Sequence, residues 1–378
     1  MTDAWTRRKF VAVTSTALAS LSLWGCDDGN GPAASTQEGR VVRFRDLDGR
    51  TITLARPAER IVTLGPPYAA MALAAHGSPE RLVGIHPRAQ DMFSRSFVRE
   101  MFPDIMNIPT NIAVGGDFTP NVEGIARLQP DIVVQWAEMG DALIAPLENA
   151  GISVARYRAL ADGAEATLSA MMMMMGEMVG DAKRAERLNA QRAETGRHLQ
   201  TMVSRLPAND RPRVLLMTRT GEAMYASGGG REGLYSYYIY RAGGINVAEK
   251  LPDYSAISRE QVAALEPDVI LLFGSEGETP NAIFNDPVLQ SSKAANSRRV
   301  YVLPTGSHYW GAIGPDDALT QIWMAELLHP ERLEKSLRNQ MHQTYSAMFD
   351  REFSDNQLDR VLIPETNGGS ANYARFLS

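Results

Sequence analysis

Two stretches of eleven residues decide the fold: Asn121–Asp131, NVEGIARLQPD, and Ser258–Asp268, SREQVAALEPD. Overlaid at an offset of 137, Glu123 falls on Glu260, Ala126 on Ala263, Leu128 on Leu265, Pro130 on Pro267 and Asp131 on Asp268. Each stretch opens with a residue suited to capping a helix, Asn121 or Ser258, and carries a Glu in its first turn. An apolar stripe follows. Pro-Asp then turns the chain into an unbroken apolar run, DIVVQW (131–136) or DVILLF (268–273), the pattern of a strand buried on both faces. A helix, turn and strand written twice predicts two similar α/β halves.

The flanking sequence supports this division. Val41–Leu54 reads as a hairpin about Asp48-Gly49. Arg60–Leu64 reads as a strand, Gly65-Pro66-Pro67 as a break, and Tyr68–His76 as a helix closed by Gly77. Strands follow at LVGIHP (82–87) and GISVARY (151–157). The alternation resumes with strand RPRVLLMT (211–218), helix GLYSYYIYRAGG (233–244), and strands DVILLFG (268–274) and RRVYVLP (298–304). Amphipathic helices at 316–330 and 332–350 close the fold. Strand–helix alternation of this kind predicts parallel sheets covered by helices.

Between the halves, 161–206 contains no Pro and has Gly only at 163, 176, 180 and 196. Leu168, Met171, Met175, Met178, Ala182, Ala185 and Leu188 recur at three- and four-residue steps, so one long helix is expected, with Gly180 as its breaking point. The run Met171–Met175 covers every face of a helix and cannot converge on one ion; it reads as packing. The layout is an N-terminal lobe (41–160), a connecting helix (161–206), a C-terminal lobe (207–353) and a loose polar tail (354–378).

The chain has 378 residues and a net charge of −6, which argues against a nucleic-acid binder. Its only cysteine, Cys26, excludes an intrachain disulfide and a thiolate metal cluster. The six histidines show no metal-ligand spacing. Residues 1–25 have the plan of an export signal: Arg7-Arg8-Lys9-Phe10, then 14 residues from Val11 to Trp24, too short to cross a bilayer. The paired arginines are of the twin-arginine type. Leu23-Trp24-Gly25-Cys26 is similar to a lipoprotein cleavage box, although Trp24 departs from the usual small residue there. Lipid on the Cys26 sulfur, a polar tether over 26–40 and an inner-membrane address from Asp27 are the resulting expectations.

RIVTLGPP (60–67), NVEGIARLQPDIVVQW (121–136), RAGGINVA (241–248) and SREQVAALEPDVILLF (258–273) together resemble the helical-backbone periplasmic binding proteins of ABC importers, carriers of ferric siderophores, haem and cobalamin. The resemblance runs from about Val41 to Phe353. It implies two Rossmann-like lobes with parallel sheets joined by one long α-helix, a ligand cleft between them, and a monomer. It further implies that Glu123 and Glu260 dock one lobe each onto a permease dimer that works with an ATPase.

Cleft residues are expected on strand-to-helix loops. In the first lobe these are Pro66, Pro67, Tyr68, His86, Arg88, Gly115, Gly116, Asp117, Phe118 and Trp136; in the second, Arg219, Tyr225, Arg231, Tyr235, His308, Tyr309 and Trp310. Aromatic residues with a few arginines suit a bulky metal chelate; that the chelate is an iron complex, a siderophore or haem, is what the resemblance implies. Cobalamin is the alternative, its corrin resting on Trp136 and Trp310. An enzyme with His308 as base and Asp316 or Asp317 behind it is the competing class, but no nucleophile or cofactor fingerprint accompanies them. A membrane-anchored scaffold is the third reading.

Overall fold

The computed structural model describes residues 41–377 except 115, 116, 221, 232, 275 and 276, and the side chains at 208 and 220. The export signal, Cys26, the tether, Gly115 and Gly116 therefore lie outside the described residues. The chain opens with an antiparallel hairpin, β1 (Val42–Arg45) and β2 (Thr51–Leu54). Asp46 in its turn docks it onto the first lobe by accepting from the Arg156 backbone at 3.1 Å.

The N-terminal lobe is a four-stranded, wholly parallel sheet in the order β4 (Leu82–Ile85), β3 (Ile61–Thr63), β5 (Ile132–Trp136), β6 (Val154–Tyr157). Its helices include α1 (Pro66–His76), α2 (Pro87–Arg95) and α3 (Val122–Arg127). Pro66 and Pro67 start α1 at positions where a missing N–H costs nothing, and Gly77 ends it at φ 85°.

The connecting segment is two helices, α4 (Ala164–Met178) and α5 (Ala182–Val203). Gly180, at φ 80°, and the Asp181 cap on the Arg184 N–H end the first and start the second. The chain reverses there. Asn189 reaches back to the Ser169 carbonyl at 3.0 Å, and a Cβ on Gly176 would lie 2.4 Å from that of Ala185. The single helix expected over 161–206 is thus a hairpin. Its first arm packs on α1 and β1 of the first lobe, and only α5, about 33 Å long for its 22 residues, runs on to the second. The methionines of the 171–175 run are buried here, apart from partly buried Met173.

The C-terminal lobe is built on β7 (Arg213–Thr220), β8 (Ala223–Ala226), β9 (Ile245–Asn246), β10 (Ser255–Ala256), β11 (Val269–Leu272) and β12 (Val300–Val302). Strands β7, β9, β11 and β12 are parallel, whereas β8 and β10 are antiparallel additions, because the short connection after β7 permits only a hairpin. Its helices include α6 (Leu234–Arg241), α7 (Arg259–Ala264), α8 (Asp317–Leu328) and α9 (Leu337–Phe349).

The duplicated unit has one wiring diagram in both lobes. Gln129 and Glu266, equivalent positions, both take φ 44° to end their helices. Asp131 accepts from the backbone N–H groups of Glu59 and Arg60 at 2.8 and 2.9 Å, and Asp268 from that of Arg213 at 2.8 Å. Arg60 returns its guanidinium to the Leu128 carbonyl at 2.6 Å, as Arg213 does to Leu265 at 2.7 Å. Each Asp thus secures a neighbouring strand's start while that strand's Arg caps the helix end.

The residues after Ser354 are not a loose tail. Ser354 and Gln357 form a capping box that starts α10 (Asp355–Leu362). Leu358, Val361, Leu362, Tyr373 and Phe376 are buried. Asn367, fully buried, accepts from the Val302 N–H and donates to the Val302 carbonyl, both at 2.8 Å, standing in for another strand beside β12. Asn367→Leu leaves both backbone groups unpaired and is expected to cost about 2–4 kcal/mol, read as a lower urea midpoint; an unchanged midpoint would mean that β12 does not depend on this residue.

Candidate functional site

Helices α3 and α7 each lead into an inner strand of their lobe, β5 and β11, and run antiparallel to it. Their N-termini therefore sit at the C-terminal edges of the two sheets, where open α/β sheets bind ligands. Glu123 and Glu260 stand in those first turns and are exposed. Glu123 has a side-chain exposure of 78% and pairs along its own helix with Arg127. The Glu260 carboxyl is held below the usual carboxylate range by its own backbone N–H and the Ser258 hydroxyl. Tyr225 lies beside Glu260, lining the same depression with Glu222 and Arg259 and stacked on Tyr254 at 4.6 Å. It belongs to this outer face.

The first lobe's edge carries a chain of rings. His86, Phe118, Trp136, Tyr157 and Tyr68 follow one another at centroid spacings of 5.0 to 5.9 Å, and exposed Arg88 lies 5.8 Å over Phe118. Gly65 is required here, since a Cβ would meet the Trp136 indole nitrogen at 2.6 Å. Of these rings Phe118 and Trp136 are partly exposed, whereas Pro67, Tyr68 and Tyr157 are buried beneath them. His86 is structural: Nδ1 accepts from the Arg88 N–H at 3.1 Å, so Nε2 donates to the Asp117 carbonyl at 2.9 Å. Burial lowers its pKa and keeps it neutral.

The second lobe answers with Tyr235, Phe273 and Tyr309, all partly exposed, with ring spacings of 6.3 and 6.2 Å. Phe273 went unnoticed in the sequence because it reads as the last residue of a buried strand; one step past β11, it turns outward. Tyr309 bridges the lobes by donating to Asp91 of α2 at 3.3 Å, and Ser96 spans the same seam to the Gly306 carbonyl at 2.5 Å.

Three other expected cleft residues lie elsewhere. Trp310 is in the core, 1% exposed, packed on Trp323, with its indole N–H on Asp316 at 3.4 Å. Arg219 is buried, holding the Ala282 carbonyl at 3.0 Å. Arg231 lies 4.5 Å over Tyr240 in a pocket on the strut side.

His308 and the aspartates do not form a catalytic pair. Its Nδ1–H donates to the Tyr309 carbonyl at 3.2 Å, leaving Nε2 buried without a partner among the described residues. Asp316 accepts from the Ser307 N–H, Trp310 and Tyr345. Asp317 faces Arg192 at 3.8 Å. Among the described residues, no three His, Cys, Asp or Glu side chains converge as a metal cage.

The comparisons accord with this geometry. The family profile described as Periplasmic binding protein matches residues 61–305, and the chain belongs to that family. It is a class III, helical-backbone binding protein of ABC importers. An iron-uptake system-binding protein of Bacillus subtilis is 22% identical over 78% of this chain and 92% of its own length. The molybdate-binding protein MolA of Haemophilus influenzae is 24% identical over 72% and 80%. A periplasmic solute-binding protein structure from Veillonella parvula superposes with TM-score 0.75 at 24% identity, covering 87% of this chain and 98% of that one.

Two buried groups give the site a pH signature. Burial lowers the His308 pKa to about 4, so the unfolded chain binds its proton first on acidification and stability is lost as pH falls from about 6.5 toward 4. Burial raises Asp317 to about 6 despite Arg192, so its contribution is present below the ordinary 3.8 and lost as pH rises through 6. The signs oppose. Relative to the parent, His308→Gln should gain about 3 kcal/mol between pH 7 and 4 and Asp317→Asn should lose a comparable amount; urea midpoints across that range showing parallel slopes would contradict both assignments.

Proposed function

We propose that this protein captures a bulky iron chelate between its lobes and delivers it to an inner-membrane permease dimer with its ATPase, held at the membrane by lipid on Cys26. The observation that carries the reading is the pair of partly exposed aromatic walls at the seam, Phe118 and Trp136 on one lobe and Tyr235, Phe273 and Tyr309 on the other, with Arg88 beside the first. Flat rings on both sides suit a ligand that is large and partly apolar, and an arginine suits catecholate or carboxylate oxygens. The iron-uptake relative supports the same cargo class. Trp136 and Tyr309 grip the cargo, while Glu123 and Glu260, one per lobe and free of cross-lobe partners among the described residues, seat the loaded protein on the two-fold permease.

Gripping and docking separate by mutation. Glu123→Ala with Glu260→Ala is expected to leave affinity for a ferric catecholate within twofold and to lower uptake at least tenfold. Trp136→Leu with Tyr309→Ala should weaken binding at least tenfold, measured by quenching of intrinsic fluorescence. Full uptake by the glutamate pair would refute docking. Full affinity of the aromatic pair, or a corrin band in protein purified from its native compartment, would refute the iron-chelate assignment. Cys26→Ser should shift the chain from the membrane to the soluble fraction on cell fractionation; persistence in the membrane would refute the lipid anchor.

A further inference from the structure

On the strut side of α6, away from the strand-end walls, lies a pocket of about 380 Å³. Its surfaces come from three parts of the molecule: Gly163 at the start of α4, Gln200 on the strut α5, and Arg211, Arg231, Tyr237 and Tyr240 of the C-terminal lobe. The two faces of α6 are thereby divided. Tyr235 looks to the cleft wall through Phe273, whereas Tyr237, Tyr240 and Arg241, at helical three- and four-residue spacing, line the pocket.

Charge in this pocket is unbalanced. Arg241 is spent on the Gly196 carbonyl and Gln321, both at 3.2 Å. Glu165 is likewise spent, accepting from Tyr237 at 2.6 Å and paired with Arg192 at 3.0 Å. That leaves Arg211 and Arg231, neither with a carboxylate partner among the described residues, with Asp162 in the lining and Glu249 engaged by the Tyr240 hydroxyl. Arg231 lies 4.5 Å over the Tyr240 ring, and Arg211 lines the same recess. Burial and the Glu249 carboxylate together hold the Tyr240 phenol above its ordinary range. Two guanidiniums lining one recess without carboxylate partners among the described residues, one of them over an aromatic ring, in a space too large for one water, are the chemistry of oxyanion recognition.

We infer that this pocket binds a small multivalent oxyanion, of the phosphate-ester or polycarboxylate class, which Arg211 and Arg231 clasp over Tyr240. The pocket is walled by the start of α4, the strut and the C-terminal lobe, so an occupant ties these three parts together. Binding stabilises the folded chain and stiffens the junction about which the lobes would move. The site takes its ligand whether or not the cleft holds cargo.

Pyrophosphate is the probe, titrated calorimetrically into the full chain at constant ionic strength set with sodium chloride. One saturable site is expected, with a rise in Tm of a few degrees at saturation. Arg211→Gln and Arg231→Gln should each weaken binding about tenfold, and Arg127→Gln, on the exposed face of α3, should leave it unchanged. Non-saturable heats, or binding equally tight in both pocket variants, would overturn the assignment, as would equal loss in Arg127→Gln, the mark of diffuse charge attraction. Circular dichroism of each variant before titration separates a lost site from a lost fold, and Tyr240→Phe, which keeps the ring and removes the Glu249 bond, should retain binding.

Discussion

The guanidinium of Arg184 is the junction on which the two-lobed arrangement rests. It stands in the first turn of the strut and is nearly sealed from solvent, with a side-chain exposure of 6%. It donates to the Ala74 carbonyl near the end of α1 at 3.0 Å, to the Met348 carbonyl near the end of α9, and to Asp350 at 2.5 Å. Three helix ends meet there: the close of a first-lobe helix, the start of the strut, and the close of the helix that returns from the second lobe. Each would otherwise leave buried backbone groups unpaired, and only a planar group with five fixed donors serves several carbonyls at once. Gly77 leaves the room for it, since a Cβ there would lie 2.9 Å from the guanidinium.

From that junction the strut is the covalent route between the lobes. Besides the Tyr309 and Ser96 bonds across the seam, Phe97 from the first lobe packs against Tyr345, Phe349 and Phe353 at 4.8 to 5.8 Å, with Arg360 on Glu100 beside it. One apolar core accordingly runs through both lobes, from Phe44 and Phe93 to Trp323 and Tyr373. A close-packed core resists shear because every displacement opens voids. Small closing motions suit such a molecule, and a cleft largely preformed by rigid walls follows from it.

The outward surfaces divide labour by position along the strands. The edge at which both sheets end carries the aromatic walls and, one helix further out, the exposed glutamates. Both features are there because parallel strands all finish at one edge and the following loops are free to vary. Tyr225, three residues beyond the Glu222 that shares its depression with Glu260, lies outside the walls for the same reason: β8 doubles back antiparallel and carries its side chains away from the seam.

Much of this was legible in the linear chain. The repeated Glu, Leu, Pro and Asp set out two equivalent lobes, since a helix cap, an apolar stripe and a strand-starting Asp are local devices whose partners lie nearby or recur in register. The glutamates' exposure followed from their place in a polar first turn. The strut's break was foreshadowed by Gly180, but its reversal depends on Gly176 and Ala185 touching, a contact that periodicity cannot reveal. The ordered C-terminus had a local mark in Ser354 and Gln357, yet its binding to β12 through Asn367 is long-range. Least legible was which aromatic residues face the cleft. Trp310 and Tyr309 are adjacent, one sealed in the core and one on the wall, while Phe273 turns out only because its strand ends one residue earlier. Sequence determined the lobes and their helix caps through short-range chemistry; tertiary packing alone decided which rings were left uncovered, because exposure belongs to the assembled surface and not to any residue.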